Sequence, residues 1–212
     1  TSEIKKPITC IIGGSKISTK INVINNLIKI FDNIIIVGGM ANTILKYNGH
    51  NIGKSICEND KESLIKEIFE KSKKYNCKII SPVDVAVSNS FEGLPKYKDL
   101  YNVENDEMIL DIGPKTISSI EETIKKSNTV LWNGPAGYFE NPNFEKGTKK
   151  ILNIISEKTI KDNIFSVAGG GETVAAINKF KKLDSFTFVS TAGGAFLEFL
   201  EGKSLPGIKA II

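Results

Sequence analysis

The chain contains no arginine: all 28 of its basic residues are lysine. A planar guanidinium that grips phosphate or carboxylate through two parallel N–H groups is therefore missing, and anions must be held by lysine point charges or backbone amides. Histidine is almost as scarce. His50 is the one imidazole, reads as a surface-loop residue, and leaves no Ser-His-Asp or Cys-His pair to build. Three cysteines, Cys10, Cys57 and Cys77, include no C-x-x-C spacing and leave one thiol over. That pattern suits reduced core residues of a cytosolic protein better than a disulfide framework. No apolar stretch approaches the roughly 20 residues needed to span a bilayer. No apolar signal segment follows the start Thr1 to Lys6 either. These absences predict a soluble, cytoplasmic protein.

A net charge of +4 is too small to define a basic face, because 24 acidic residues are interspersed among the lysines. Lysine pairs such as Lys73-Lys74, Lys125-Lys126, Lys149-Lys150 and Lys181-Lys182 fall where a helix would meet solvent. Nucleic-acid stripes with interleaved aromatics are lacking, so neither nucleic acid nor membrane is expected as a partner. The chain has 212 residues, of which 41% are apolar. A chain of that length can bury roughly 70% of its unfolded surface, enough for one large or two small domains.

Short Ile/Val-rich runs recur: Ile8 to Ile12, Asn33 to Val37, Lys78 to Ile80, Asp84 to Val87, Thr129 to Trp132, Ile164 to Ala168 and Phe186 to Val189. Each reads as a buried strand. Between them, apolar residues recur at spacings of three and four, as in Ile17, Ile21, Ile24, Leu27, Ile28 and Phe31, or Leu64, Ile65, Ile68 and Phe69. These read as amphipathic helices. Continuous apolar strands alternating with helices predict a doubly wound, Rossmann-like α/β domain. Its parallel sheet should have about six strands, with helices on both faces. Asn89 to Asp106, with Gly93 and Pro95, reads as a loop or a small excursion on the sheet edge before a further apolar run at Met108 to Ile112.

In such a sheet, ligands bind beyond the carboxyl ends of the strands. Five runs are followed there by glycine: Gly13-Gly14-Ser15-Lys16, Gly38-Gly39, Asn133-Gly134-Pro135-Ala136-Gly137, Gly169-Gly170-Gly171-Glu172-Thr173, and Ser190-Thr191-Ala192-Gly193-Gly194. Glycine lets backbone N–H groups approach an anion, and a following helix start adds unpaired donors. A triphosphate is the ligand that most needs both. Lys16 and Lys20 are spaced for one helical turn, so both ammonium groups can face one phosphate chain. Glu172 has two readings, a carboxylate favourable in a helix first turn or a ligand for Mg2+ bridging phosphate oxygens. Thr173 beside it can donate its hydroxyl to a phosphate oxygen. No G-x-G-x-x-G occurs, which contradicts a nicotinamide-binding domain, and Gly49 to Ser55 is one spacer short of a Walker A loop and follows no strand. The remaining chemistry is phosphoryl transfer, which needs positioning and charge neutralisation more than covalent groups.

At these residues the chain resembles phosphoglycerate kinase, specifically its C-terminal, nucleotide-binding half. The matching stretches are GGSKISTK at 13–20, VGGMANT at 37–43, LDIGPKT at 110–116, VLWNGPAGYFE at 130–140, VAGGGETVAAI at 167–177 and STAGGAFLEFLEGKSLPGI at 190–208. The resemblance implies a single domain over 1–212 that binds Mg2+ with ADP or ATP. It also implies reversible glycolytic phosphoryl transfer between 1,3-bisphosphoglycerate and ADP. By match to the family motifs, Lys16 and Lys20 hold the transferring and nucleotide phosphates together with the Gly14-Ser15 loop. Gly170, Gly171 and Thr173 bind the β- and γ-phosphates, Asn133 reaches the phosphate chain, and Glu172 stands where the family has a magnesium-binding Asp. Gly38, Gly39, Leu110 and Pro135 wall the adenine slot, Glu140 meets the ribose hydroxyls, and Gly193 and Gly194 donate N–H groups to the phosphoryl in flight.

Three residues depart from the family pattern: Glu172 is one methylene longer than Asp, Thr19 replaces an Asp, and Ala192 stands where the first of three glycines is usual. Nothing in the chain matches the family's N-terminal domain, whose Arg and His take the phosphoglycerate. Lys6-Pro7-Ile8 corresponds to the entry of the C-terminal domain, and Leu205 to Ile211 to the family's C-terminus. The resemblance thus predicts a monomeric half-enzyme that binds nucleotide but turns over almost nothing alone. A non-catalytic nucleotide-binding or assembly module is the alternative.

Overall fold

The computed structural model describes residues 4–205. The matched residues 206–208 and the expected correspondence of Leu205 to Ile211 with a family C-terminus fall wholly or mostly outside that range. Six strands form one sheet: β1 (Ile8–Ile12), β2 (Asn33–Ile36), β3 (Lys78–Ile80), β7 (Thr129–Asn133), β8 (Phe165–Gly169) and β9 (Phe188–Ser190). Their order is β3-β2-β1-β7-β8-β9 and every pairing is parallel. β1 and β7 are buried along their whole length, as the unbroken apolar runs require of strands covered on both sides.

Alternation along the strands divides the core into two layers. Ile11, Ile35, Val130 and Trp132 face one side and pack against α4 (Pro114–Lys125), α5 (Lys146–Asp162) and α6 (Gly171–Lys179). Cys10, Ile12, Ile34, Ile36 and Leu131 face the other. There they meet α1 (Ile21–Leu27), α2 (Gly39–Tyr47), α3 (Glu62–Lys74) and α7 (Gly194–Leu200). This is the doubly wound arrangement expected from the sequence. Trp132 is fully buried, stacks on Phe186 at 6.1 Å between ring centroids, and donates its indole N–H to Gly134 O at 2.8 Å.

Two local expectations change. The run Asp84 to Val87 does not join the parallel sheet: β4 (Asp84–Ser88) lies in a separate antiparallel sheet, ordered β5-β4-β6, with β5 (Lys96–Asp99) and β6 (Met108–Ile112). Full burial looks alike in both settings, but only three residues separate Ile80 from Asp84. A parallel crossover takes a dozen or more, so the connection forbids the parallel pairing. β5 also gives the segment Asn89 to Asp106 regular structure. The helix expected from Ile17 onward begins only at Ile21. Ile17 and Ile28 are buried all the same, so the apolar spacing tracked burial beyond the helix ends. Among the described residues, no helix is long and apolar enough to cross a membrane.

The small sheet has its own core of Leu45, Ile52, Val85, Val87, Leu100 and Val103, and the buried carboxylate of Asp84 helps tie it to the rest. Asp84, 4% exposed, accepts from Lys115 N at 2.9 Å and Thr116 N at 2.7 Å. The cap residue Gly113 makes no side-chain bond of its own, so Asp84 serves the open amides of α4 from 31 residues upstream. Asp84→Ala leaves those buried donors unpaired. It should lower the unfolding free energy by about 1–3 kcal/mol in urea melts, the usual cost of an orphaned buried group.

Candidate functional site

The order of strands reverses between β1 and β7, the place where an open α/β sheet leaves a crevice at its carboxyl edge. The loops after these two strands meet backbone to backbone. Gly13 N donates to Asn133 O at 2.8 Å, and a β-carbon on Gly13 would collide with Pro135 O. Gly134, at φ +106°, lies against Gly13 in the same way. Gly38, at φ +70°, brings the start of α2 to within 3.0 Å of Gly14 N, measured from the position of its missing β-carbon.

Two recesses open side by side on this floor. One is mostly apolar: Gly38, Gly39, Pro135, Leu110 and Val85 line it, and Ile56, Phe91 and Tyr138 stand around it with Glu140. The other is polar, lined by Gly13, Lys20, Asn133, Gly170, Gly171 and Thr173, with Leu197 of α7 on one side. Gly14, Ser15 and Glu172 line both. An apolar slot opening beside a bed of amides, hydroxyl and ammonium has the shape and chemistry of a site for a flat base carrying phosphates.

The polar recess is pre-assembled. Lys20 Nζ donates to Asn133 Oδ1 at 2.7 Å, and Asn133 Nδ2 donates onward to Gly169 O at 2.7 Å. Gly134 N donates to Thr173 Oγ1 at 2.7 Å, which leaves the Thr173 hydroxyl proton free for a ligand oxygen. Burial lowers the Lys20 ammonium below its ordinary pKa, against the opposing pull of Glu172. Glu172 is exposed in the first turn of α6. Among the described residues there is no group of three or more His, Cys, Asp or Glu able to hold a metal. A single carboxylate beside a phosphate bed suits Mg2+, which keeps waters and takes its other ligands from phosphate oxygens.

The expected residues do not all converge. Lys16 is exposed, lies in the loop before α1, and lines neither recess. Lys16 and Lys20 therefore do not share a helix face, because the backbone turns through Ser18 and Thr19 before the first helical residue. Thr19 closes that turn by donating its hydroxyl to Lys16 O at 2.9 Å. Gly193 and Gly194 also stand outside both recesses, in open space at the start of α7. The left-handed backbone there falls on Gly193, at φ +53°, and Ala192 has no positive φ. Gly14, Ser15, Lys20, Gly38, Gly39, Leu110, Asn133, Pro135, Glu140, Gly170, Gly171, Glu172 and Thr173 all line one recess or both.

Asp111 was not anticipated. It is 3% exposed beside the apolar slot and accepts from Gly147 N at 2.7 Å and Ile112 N at 2.9 Å. Nearby, Tyr138 N donates to Leu110 O at 2.7 Å and Ala136 N to Thr148 Oγ1 at 3.0 Å. The loop Pro135–Tyr138 is thus pinned between β6 and the first turn of α5. Burial pushes the Asp111 carboxyl up to about 7, against the two amides and Lys146. The one available signal was the short polar step in the run Met108 to Ile112.

The family model described as phosphoglycerate kinase matches residues 1–203. A phosphoglycerate kinase of Zymomonas mobilis is 46% identical over 207 residues, 97% of this chain and 52% of that protein. One from Francisella philomiragia is 48% identical over 209 residues, 98% of this chain and 52% of that protein. The solved phosphoglycerate kinase of Coxiella burnetii superposes with a TM-score of 0.93 at 41% identity, covering 98% of this chain and 53% of that one. That of Pyrococcus horikoshii gives 0.79 at 28% identity, covering 99% and 53%. The chain spans about half the length of these relatives.

Two outcomes are expected. Gly13→Ala forces apart the loops after β1 and β7 and should lower the urea-unfolding free energy by about 1–3 kcal/mol, the usual cost of overpacking. Asp111 keeps its proton in the folded chain up to about pH 7 but loses it near 3.8 when unfolded. Its contribution to stability is therefore full below pH 3.8 and lost as pH rises through 7. Asp111→Asn should be more stable relative to the parent at pH 8 than at pH 5, as read from urea melts at both.

Proposed function

Because the chain belongs to the phosphoglycerate kinase family, we propose that residues 1–212 form its cytoplasmic, nucleotide-binding half, which takes ADP or ATP with Mg2+. The observation that carries this reading is the pair of adjoining recesses meeting at Gly14, Ser15 and Glu172. Adenine enters the apolar slot between Gly38-Gly39 and Leu110-Pro135, and Glu140 at the rim meets the ribose hydroxyls. The phosphates lie over Lys20, Asn133, the amides of Gly170 and Gly171, and the Thr173 hydroxyl. Mg2+ held by Glu172 would neutralise charge between phosphate oxygens. In the full reaction a phosphoryl group passes reversibly between 1,3-bisphosphoglycerate and ADP, leaving a free carboxylate on 3-phosphoglycerate and forming ATP.

Lys16, Gly193 and Gly194 fit a role at the transferring group. They face open space beside the recesses and would meet a phosphoryl arriving from outside the nucleotide bed. With no Arg in the chain, nothing here grips a phosphoglycerate through two parallel bonds. On this reading the second substrate's residues come from another part of the enzyme, and the chain alone should be nearly inactive and monomeric.

Calorimetric titration with MgADP tests the reading. Binding should be measurable, and Lys20→Ala should weaken it about 10- to 100-fold, the scale of a lost charged hydrogen bond. No heat at millimolar nucleotide overturns the reading. Turnover should be negligible until the other half of a phosphoglycerate kinase is added. Substantial turnover by the lone chain would show that lysine suffices, and binding with no turnover on addition would favour a non-catalytic module.

A further inference from the structure

Glu58 lines neither recess, yet it holds the loop that carries both lysines. It sits on the connection between α2 and α3. Its carboxylate accepts from Ser18 N at 2.9 Å and, through its other oxygen, from the Ser18 hydroxyl. Ser18 lies midway between Lys16 and Lys20, in a loop otherwise fixed by the buried Ile17 side chain, the Thr19 hydroxyl on Lys16 O and the Lys20 ammonium on Asn133. Lys20 is the N-cap residue of α1 and makes no side-chain cap bond. The backbone bonds of this stretch reduce to Lys20 N donating to Ile17 O at 3.0 Å and the helical start beyond it.

The same connection is fastened to the other side of the site. Glu58 N donates to Thr43 Oγ1 at 3.1 Å, and buried Asn42 donates through Nδ2 to Ile56 O at 3.1 Å. Thr43 and Asn42 belong to α2, whose first residue is Gly39 of the apolar slot. Glu58 therefore bridges the helix at the base slot to the loop at the phosphate bed. Burial pushes its carboxyl up, but the Ser18 hydroxyl and amide, Lys61 and the Ile17 amide outweigh this and hold it below the usual range. The carboxylate is thus charged while it grips the loop.

We propose that Glu58 is a positioning residue: it sets the Lys16–Lys20 loop and so governs the phosphate half of nucleotide affinity without touching the nucleotide. This rests on the nucleotide reading above. The test compares adenosine, which occupies only the base and ribose part of the site, with MgADP. Both are titrated into the 212-residue parent, Glu58→Ala and Glu58→Gln. MgADP should bind Glu58→Ala about tenfold more weakly, on the scale of one charge-assisted hydrogen bond, while adenosine changes by less than about twofold. Glu58→Gln, which keeps an acceptor oxygen, should recover part of the loss.

Unchanged MgADP binding by Glu58→Ala overturns the proposal, as does an equal loss for both ligands, which would mark general loosening. If Glu58→Ala does not fold, Glu58→Gln decides by the same criterion, a loss confined to MgADP or not. A parent chain that binds neither ligand overturns the nucleotide reading and this inference with it. A parent that binds both while Glu58→Ala discriminates neither overturns this inference alone.

Discussion

The site depends on three loops approaching one another more closely than side chains allow. Gly13, Gly134 and Gly38 place the ends of β1, β7 and β2 in backbone contact, and that contact sets the floor from which both recesses rise. A β-carbon at Gly13 or Gly134 would separate the strand ends at the topological switch, where the crevice exists because strand order reverses. Each of these glycines is thus fixed by its neighbours' backbone before any ligand arrives.

Electrostatics follow from the same arrangement. Lys20 is drawn into the polar recess and held by Asn133, and burial makes its charge harder to keep without an anion nearby. Lys16 stays in water. The two lysines of the loop thus differ, one a partly desolvated charge inside the polar recess and the other an exposed charge outside it. The missing arginine excludes recognition by a bidentate guanidinium. In the folded chain the polar recess is lined instead by backbone amides, the Thr173 hydroxyl and Lys20, while Lys16, Gly193 and Gly194 stand outside it.

The sequence made the local features legible and the distant ones not. Strand runs ending in glycine located five loops on one edge, because strand propensity and glycine act within a few residues. Thirteen of the expected site residues line the recesses for that reason. The pairing of Lys16 with Lys20 failed because apolar spacing tracked the burial of Ile17 and not helical dihedrals. Asp84, Asp111 and Glu58 were invisible as functional supports, for their partners lie 32, 36 and 40 residues away. Their only local mark is a carboxylate in or beside an apolar run. β4 was placed in the wrong sheet because burial on both faces gives the same pattern in either; connection length carried the discriminating information.

The apolar slot is bounded on one side by loops of the parallel sheet and on the other by Val85 and Leu110 of the small antiparallel sheet. The small sheet closes over six buried apolar side chains of its own, far fewer than either layer of the main core. The slot is thus a seam between packed cores of unequal size, joined through Ile112 of β6, which packs in the main core. On the nucleotide reading proposed above, a base lodged in the seam would contact both sheets, so its affinity would include the free energy of keeping them together. Occupancy would in turn favour the arrangement in which the two sheets meet. A bound ligand would then fasten the small sheet to the rest alongside bonds the chain already makes there, from Asp84 to the start of α4 and from Asp111 to Gly147 N of α5.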